Sequence, residues 1–170
     1  MKNPVYQGSL ECLCGIYSVL NALTISSVNF DVKQTFEIIV KFLNQNNLLA
    51  GSLTKGIKRR TISEILKYLS IPDIVISKPY WNNKEISLDQ YWDTLQKHLA
   101  SNKKNTAIIC LGGKVWDHWT VATKITAKEI HCHDSELKKI VRSSCSTSTN
   151  NNSRTHIIFP THTFFISNHT

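Results

Sequence analysis

The sequence has little of the features that mark unusual classes of protein. Its six glycines and four prolines are too few for a collagen-like chain or for a disordered chain rich in Pro and Gly. Its apolar runs are short, which excludes a transmembrane helix. The N-terminus leads into no apolar stretch of signal-peptide length, so we expect a protein that is cytoplasmic where it is made. Export by a machine that reads other signals stays open, as for an effector.

The sequence also lacks the cysteine pattern of a fold that is held together by disulfide bonds or by a bound zinc ion. Its five cysteines are odd in number and follow no secretion signal, so they predict no disulfide framework. No CxxC pair is present, which argues against a structural zinc site. The segment His131 to His133 looks metal-like, but alternate residues of a strand point to opposite faces. We therefore expect neither a metal nor another cofactor.

Acidic residues are scarce relative to basic ones. Twenty Lys and Arg against twelve Asp and Glu give a net charge of +8 and a pI near 9.3. Such an excess suits a nucleic-acid or anionic-membrane partner. The basic residues are nevertheless spread along the chain, with one tight cluster from Lys55 to Arg60, and scattered charge usually solvates a surface. Nucleic acid is therefore not the partner we favour.

What the sequence does contain is the pattern of one α+β domain. Its 170 residues and ordinary globular composition suit a single domain over 1–170. Apolar residues recur at helical spacing in the first hundred residues, and short β-branched runs follow Asn105. This order predicts a helical part over about 1–101 packed on an antiparallel sheet over about 105–167.

Capping residues and apolar periodicity predict the individual elements. The predicted helix starts are at Asn29 or Asp31, at Thr61 with Glu64, and at Ser87 with Gln90. The predicted strands are 106–111, 120–125, 129–132, 139–141, 156–159 and 163–166. The segment 77–84 reads as a connection between helices, and the polar, low-complexity segment 143–153 as a mobile loop between strands.

The first chemical motif is a Cys-Gly step close to the N-terminus. A polar, glycine-containing loop leads into Cys14 and Gly15, and an apolar helix is predicted over 16–23. A cysteine in the first turn of a helix experiences the positive end of the macrodipole and several free backbone N–H groups. Both favour the thiolate, which is the nucleophilic form. For any single cysteine, a buried structural role is the alternative.

The second motif pairs a histidine with an aspartate. His118 stands where Gly112 and Gly113 lead through a loop into a predicted strand, a rigid position for a general base. A hairpin turning at 126–128 pairs residues whose numbers sum to about 253–255, which places His118 one or two positions from Asp134. A carboxylate there would fix the imidazole tautomer and stabilise its cation. The alternative for Asp134 is a turn residue.

The sequence resembles the papain-like cysteine peptidase superfamily in the order of three motifs. A Cys-Gly step opens a helix, a His-Trp step starts a strand, and an Asp-Ser step follows the next strand. The sequence is most similar to small bacterial members, such as the peptidase domains that cut double-glycine leaders and injected effector peptidases. The resemblance runs from Gln7 to about Ile166. It implies a papain-like fold and a protein or peptide substrate, with Cys14 as nucleophile, His118 as general base, Asp134 as orienting acid and Gln7 in the oxyanion hole.

The sequence departs from the family in one spacing. Gln7 lies seven residues before Cys14 and five before Cys12, and the family's usual spacing falls between the two. Cys12 is therefore the alternative nucleophile. We favour Cys14 because glycine follows it directly and the apolar helix begins there.

Three functions fit these motifs. The first is a cysteine peptidase or amidase that forms a thioester intermediate, and the second is a glutamine deamidase or thiol acyltransferase on the same fold. The third is a basic adaptor for nucleic acid or protein, in which the cysteine and histidine are incidental. Trp116 and Trp119, which flank His118, would shield it or stack on substrate in an enzyme, or would simply pack in the core.

Overall fold

A computed structural model describes residues 3–8, 12–27, 30–83, 85–113, 117–147 and 154–169, and within them the chain forms five α-helices and one sheet of eight strands. The helices are α1 (Cys14–Ser26), α2 (Val32–Gln45), α3 (Leu49–Lys55), α4 (Arg59–Leu69) and α5 (Leu88–Ser101). The strands are β1 (Ile74–Ser77), β2 (Thr106–Gly113), β3 (His118–Ile125), β4 (Glu129–Cys132), β5 (Lys139–Val141), β6 (Cys145–Ser146), β7 (His156–Ile158) and β8 (Phe164–Asn168).

The sheet is built around β2. Its main path runs β1-β8-β2-β3-β4-β5, and every neighbouring pair on that path is antiparallel. On the edge away from β3, β2 pairs first with β8 and then with β7. The predicted α+β class with an antiparallel sheet is therefore confirmed. The parallel pairing of β6 with β7 is an exception that the sequence did not predict.

Helices cover both faces of this sheet. Along β2, Ile108 and Cys110 enter a core shared with α1, α2 and α4, whereas Ile109 and Leu111 enter a second core shared with α5. The alternation follows from the two-residue period of a strand. The prediction of one helical part packed against the sheet therefore needs correction, because α5 lies on the face opposite α1. None of the helices in the described residues is both long and apolar enough to span a bilayer.

Two of the three predicted helix starts are confirmed. The Asp31 carboxylate accepts a 2.9 Å hydrogen bond from the Gln34 N–H and caps α2. The side chains of Ser87 and Gln90 each accept a hydrogen bond from the other's backbone N–H and form a complete capping box at α5. The alternative cap of α2, Asn29, lies outside the described residues.

The third predicted start is wrong, because Thr61 lies inside α4. The helix begins two residues earlier, at Arg59, and its N-cap residue Lys58 is extended. The Arg59 guanidinium donates to the carbonyls of Trp81 and Thr161, at 3.1 and 3.2 Å. These tertiary contacts hold the first turn of α4, and they override the capping pattern further along the chain.

The predicted hairpin of β3 and β4 is confirmed. Ala122 lies opposite Cys132 and Ile125 opposite Ile130, so the paired numbers sum to 254 and 255, with a bulge between the two pairs. The Thr126 N–H closes the turn on the Glu129 carbonyl at 2.8 Å. This register brings the start of β3 close to the chain that leaves β4.

Other predictions were wrong. The sequence did not predict β1, a four-residue strand within the helical part that pairs with β8 from the far end of the chain. Gly112 and Gly113 end β2 rather than forming a loop, and a Cβ at Gly112 would lie 2.5 Å from the Phe159 ring. The predicted mobile loop begins instead with a 3₁₀ turn over Arg142–Ser144 and with β6, while residues 148–153 lie outside the described part.

Candidate active site

A small cleft, open to solvent, lies where the N-terminus of α1 meets the start of β3 and the chain after β4. Among the described residues it is lined by Gln7, Cys14, Tyr17, Ser18, Asn21, His118, Trp119, Asp134 and Ser135. The structure thus brings together the four residues that the sequence singled out, although they are spread over more than 120 positions. Cys12, the alternative nucleophile, is not part of this lining.

Cys14 is the first residue of α1 and is half-buried. In the described part of the chain no side chain caps this helix, whose N-cap residue is Leu13. The first N–H groups of a helix have no partner within it, and they carry the positive end of the macrodipole. The next residue, Gly15, lets the first turn pack closely, because a Cβ there would lie 3.3 Å from Ile57, Ile62 and Trp119.

Cys12 is held on another part of the molecule. Its backbone N–H donates to the Leu53 carbonyl at 3.0 Å, and its thiol donates to the Thr54 carbonyl at 3.6 Å. Both partners belong to α3, and the Cys12 side chain is exposed. The two neighbouring cysteines therefore have different surroundings, and only Cys14 faces the predicted histidine.

His118 connects Cys14 with Asp134. It begins β3 and is 5% exposed. Its Nε2 lies 2.9 Å from Oδ2 of Asp134, and the Cys14 side chain lies close enough to its ring to raise its pKa. Because Nε2 is engaged by the carboxylate, Nδ1 is the ring nitrogen that remains for the sulfur. The imidazole is thus fixed from both sides.

Asp134 follows β4 and uses both of its carboxylate oxygens. Oδ1 accepts hydrogen bonds from the N–H groups of Glu136 and Leu137, at 2.8 and 3.1 Å, while Oδ2 faces His118. The Lys138 ammonium donates to the Asp134 carbonyl at 2.8 Å. The two interpretations drawn from the sequence, a turn residue and a partner of His118, are therefore both correct. The turn is what holds the carboxylate in position.

The contact between His118 and Asp134 shifts the pKa values of the imidazole and of the carboxylate. Burial alone would lower the pKa of His118, but hydrogen bonds with Asp134 and Cys14 and their negative charges raise it to about 9. Burial would raise the pKa of Asp134, but the hydrogen bond from His118, the Glu136 N–H and the imidazolium charge lower it. The imidazolium and the carboxylate are therefore the stable forms near neutral pH.

Sequence reasoning missed several polar residues of the cleft. Tyr17, Ser18 and Asn21 follow Cys14 at intervals of three, four and seven residues, which places all of them on one helix face. This spacing was a readable signal. Thr120 stands two residues after His118 on β3, and its buried hydroxyl lowers the pKa of Asp134 further, although its geometry falls short of a full hydrogen bond.

Of the two tryptophans beside His118, only Trp119 lies in the described part of the chain. Trp119 is buried, donates from Nε1 to the Ile57 carbonyl at 3.0 Å, and packs against the rings of His162 and Phe164. It forms a wall of the cleft that is anchored in the core. Trp116 lies outside the described residues.

In the described part of the chain, no three His, Cys, Asp or Glu side chains are grouped so that they could hold a metal ion. Comparison with protein-family models, with curated proteins and with solved structures finds no match for this chain. What the chain can do therefore follows from the chemistry of the cleft.

Proposed function

We propose that this protein is a papain-like cysteine hydrolase that cleaves an amide bond of a peptide or protein through a thioester intermediate. The observation that carries the proposal is the position of His118, which shares the cleft with Cys14 at the start of α1 and is hydrogen-bonded through Nε2 to Asp134 at 2.9 Å. A nucleophile, a base and a group that orients the base are the three parts that covalent acyl transfer requires.

In the first step, the Cys14 thiolate attacks the carbonyl carbon of the substrate. A C–S bond forms, and the π electron pair moves to the oxygen. The N–H groups at the start of α1 and the Gln7 side chain, which lines the same cleft, stabilise this oxyanion. His118, whose pKa of about 9 keeps it protonated at neutral pH, then gives its proton to the leaving nitrogen, and the C–N bond breaks.

In the second step, water releases the acyl group. Neutral His118 takes a proton from the water, and the hydroxide attacks the thioester carbonyl. The C–S bond breaks, the acid leaves, and His118 returns to the imidazolium form beside the Cys14 thiolate. Asp134 stabilises this cation through its Oδ2, and it keeps the ring oriented because the turn formed with Glu136 and Leu137 fixes its Oδ1.

The test uses 4-nitrophenyl acetate, a small activated ester that needs no knowledge of the natural substrate. Attack by a thiolate releases nitrophenolate and leaves an acetyl group on the sulfur. We expect mass spectrometry to find this acetyl group on Cys14 in the wild type and in Cys12→Ala. In Cys14→Ala the fast release of nitrophenolate should be lost. Acetylation of Cys12, or equal slow labelling of all thiols, would contradict the proposal.

A further inference from the structure

The N-terminal segment reaches the cleft along α1, and one side chain of that helix holds it. The Val5 N–H donates to Oδ1 of Asn21 at 2.7 Å, and Nδ2 of Asn21 donates to the Val5 carbonyl at the longer distance of 3.5 Å. A side-chain amide therefore pairs with both polar groups of one backbone residue, as a neighbouring strand would. Asn21 is only 3% exposed, so these bonds are protected from water.

This contact lies within the cleft rather than beside it. Asn21 and Gln7 both line the cleft, together with Cys14. Asn21 follows Cys14 by seven residues, which is about two helical turns, so the two side chains lie on the same face about 10 Å apart along the helix axis. Two extended residues, from Val5 to Gln7, span about 7 Å. If the segment is held at Asn21 and runs toward Cys14, this length is enough to bring the Gln7 side chain near the Cys14 sulfur.

A second contact fixes the same segment. The Val5 side chain is half-buried and packs against the core formed by α1, α2 and α4. The backbone at Val5 is therefore held by apolar packing and by the amide of Asn21. A buried amide that lost its partner would be left without a hydrogen bond, which is unfavourable, so the position of this segment is strongly specified.

We infer that Asn21 is a positioning residue: by holding the Val5 backbone it places the Gln7 side chain beside Cys14. This inference rests on the proposed function, because it assigns Gln7 a part in acyl transfer. It also accounts for the unusual spacing. Gln7 is placed by its distance from Val5 and Asn21, so the number of residues between Gln7 and Cys14 need not equal that of other families.

The inference predicts that two reactions of Cys14 respond differently to Asn21→Ala. Acetylation by 4-nitrophenyl acetate passes through an oxyanion and needs Gln7, whereas alkylation by iodoacetamide is a direct displacement of iodide with no oxyanion. We expect Asn21→Ala to slow acetylation about tenfold or more, as removal of an oxyanion donor does. The alkylation rate should stay within about twofold of the wild type, as expected for an intact Cys14–His118 pair.

Three further variants make the experiment decisive. Val5→Pro removes the N–H that Asn21 accepts from, and it should reproduce the split between the two rates without changing the helix. Gln7→Ala should show the same loss, and combining it with Asn21→Ala should add little, because both act on one group. Asn105→Ala is the control. Asn105 is also a buried asparagine, but its side chain donates to the His98 carbonyl and does not line the cleft, so this substitution should leave both rates unchanged.

The outcomes separate this inference from the function on which it rests. Unchanged acetylation in Asn21→Ala, with a wild type that is acetylated at Cys14, would overturn the inference alone. An equal fall of both rates would also overturn it, because it would mean a general structural role. A wild type that is not acetylated at Cys14 would overturn the proposed function itself.

Discussion

The two helices that pack on opposite faces of the sheet, α1 and α5, are built in opposite ways. α5 has a complete capping box, and its apolar residues Tyr91, Trp92 and Leu95 are buried on one side. α1 is buried on almost every side, and within the described residues no side chain caps its first turn. α5 therefore caps its first turn with its own side chains, whereas α1 presents Cys14 and the polar residues Tyr17, Ser18 and Asn21 to the cleft.

The histidines near these helices differ in the same way. His118, at the start of β3 and close to Cys14, faces the Asp134 carboxylate, and its pKa is raised to about 9. His98, on α5, stacks on Phe165 and contacts the Thr106 carbonyl, and burial lowers its pKa. A neighbouring carboxylate thus raises the pKa of the histidine in the cleft, whereas burial lowers the pKa of the histidine on α5.

The largest effect is expected in the cleft, from Asp134→Asn. The amide keeps the size of the carboxylate but removes the charge that stabilises the imidazolium. We expect the rates of acetylation and turnover to fall about 10³- to 10⁴-fold, which corresponds to about 4–5.5 kcal/mol of activation free energy. The free energy of unfolding should also fall, because the buried ion pair with His118 is lost. Stopped-flow release of nitrophenolate measures the rate, and urea unfolding measures the stability. A fall in the acetylation rate of less than tenfold would show that Asp134 does not orient the base.

The converse effect is expected on the α5 side, from Leu95→Ala. Leu95 is fully buried in the core shared by α5 and β2, and truncating it leaves a cavity. The free energy of unfolding should fall by about 2–5 kcal/mol, while the acetylation rate of the folded protein stays within about twofold. Urea unfolding monitored by circular dichroism checks the first value. A loss of activity at unchanged stability would contradict the structural role that we assign to the core beneath α5.

The histidines give a pH test of the same comparison. In NMR titrations of the ring protons, His118 should titrate near pH 9 and His98 below its ordinary value. His118 then contributes stability that is full below about pH 6.5 and is lost as the pH rises through 9. His98 acts in the opposite direction, because protonating it at acid pH costs stability. In Asp134→Asn the His118 midpoint should fall, and an unchanged midpoint would mean that the carboxylate does not set it.

The smallest effect compares a true helix cap with a false one. Ser87→Ala removes the side chain that accepts from the Gln90 N–H, and it should cost about 1 kcal/mol of stability. Thr61→Ala changes a residue inside α4 and should cost much less, because Thr61 is not a cap. Thermal unfolding of both variants measures the difference. Equal losses would show that the hydrogen bond at Ser87 contributes nothing.

The sequence predicted best where the determinants are local. The Ser87 capping box needs four residues, and the β3–β4 register needs one turn, so both followed from the sequence. It failed where distant contacts decide. The start of α4 depends on bonds from Arg59 to Trp81 and Thr161, and β1 forms only because β8 pairs with it. The residues of the cleft were predicted from their chemistry, but Asn21 was missed because its partner Val5 is in a segment with no regular structure.

The measurement that tests the central claim most directly is the pH dependence of alkylation at Cys14. Iodoacetamide labelling of each cysteine, followed by mass spectrometry between pH 5 and 9, gives the rate for wild type and for His118→Ala. The account predicts that in the wild type Cys14 reacts faster than Cys12 and stays reactive below pH 6, because the His118 imidazolium stabilises its thiolate. In His118→Ala the reactivity of Cys14 at low pH should be lost, because no imidazolium then stabilises the thiolate. Superimposable profiles for the two proteins would contradict it.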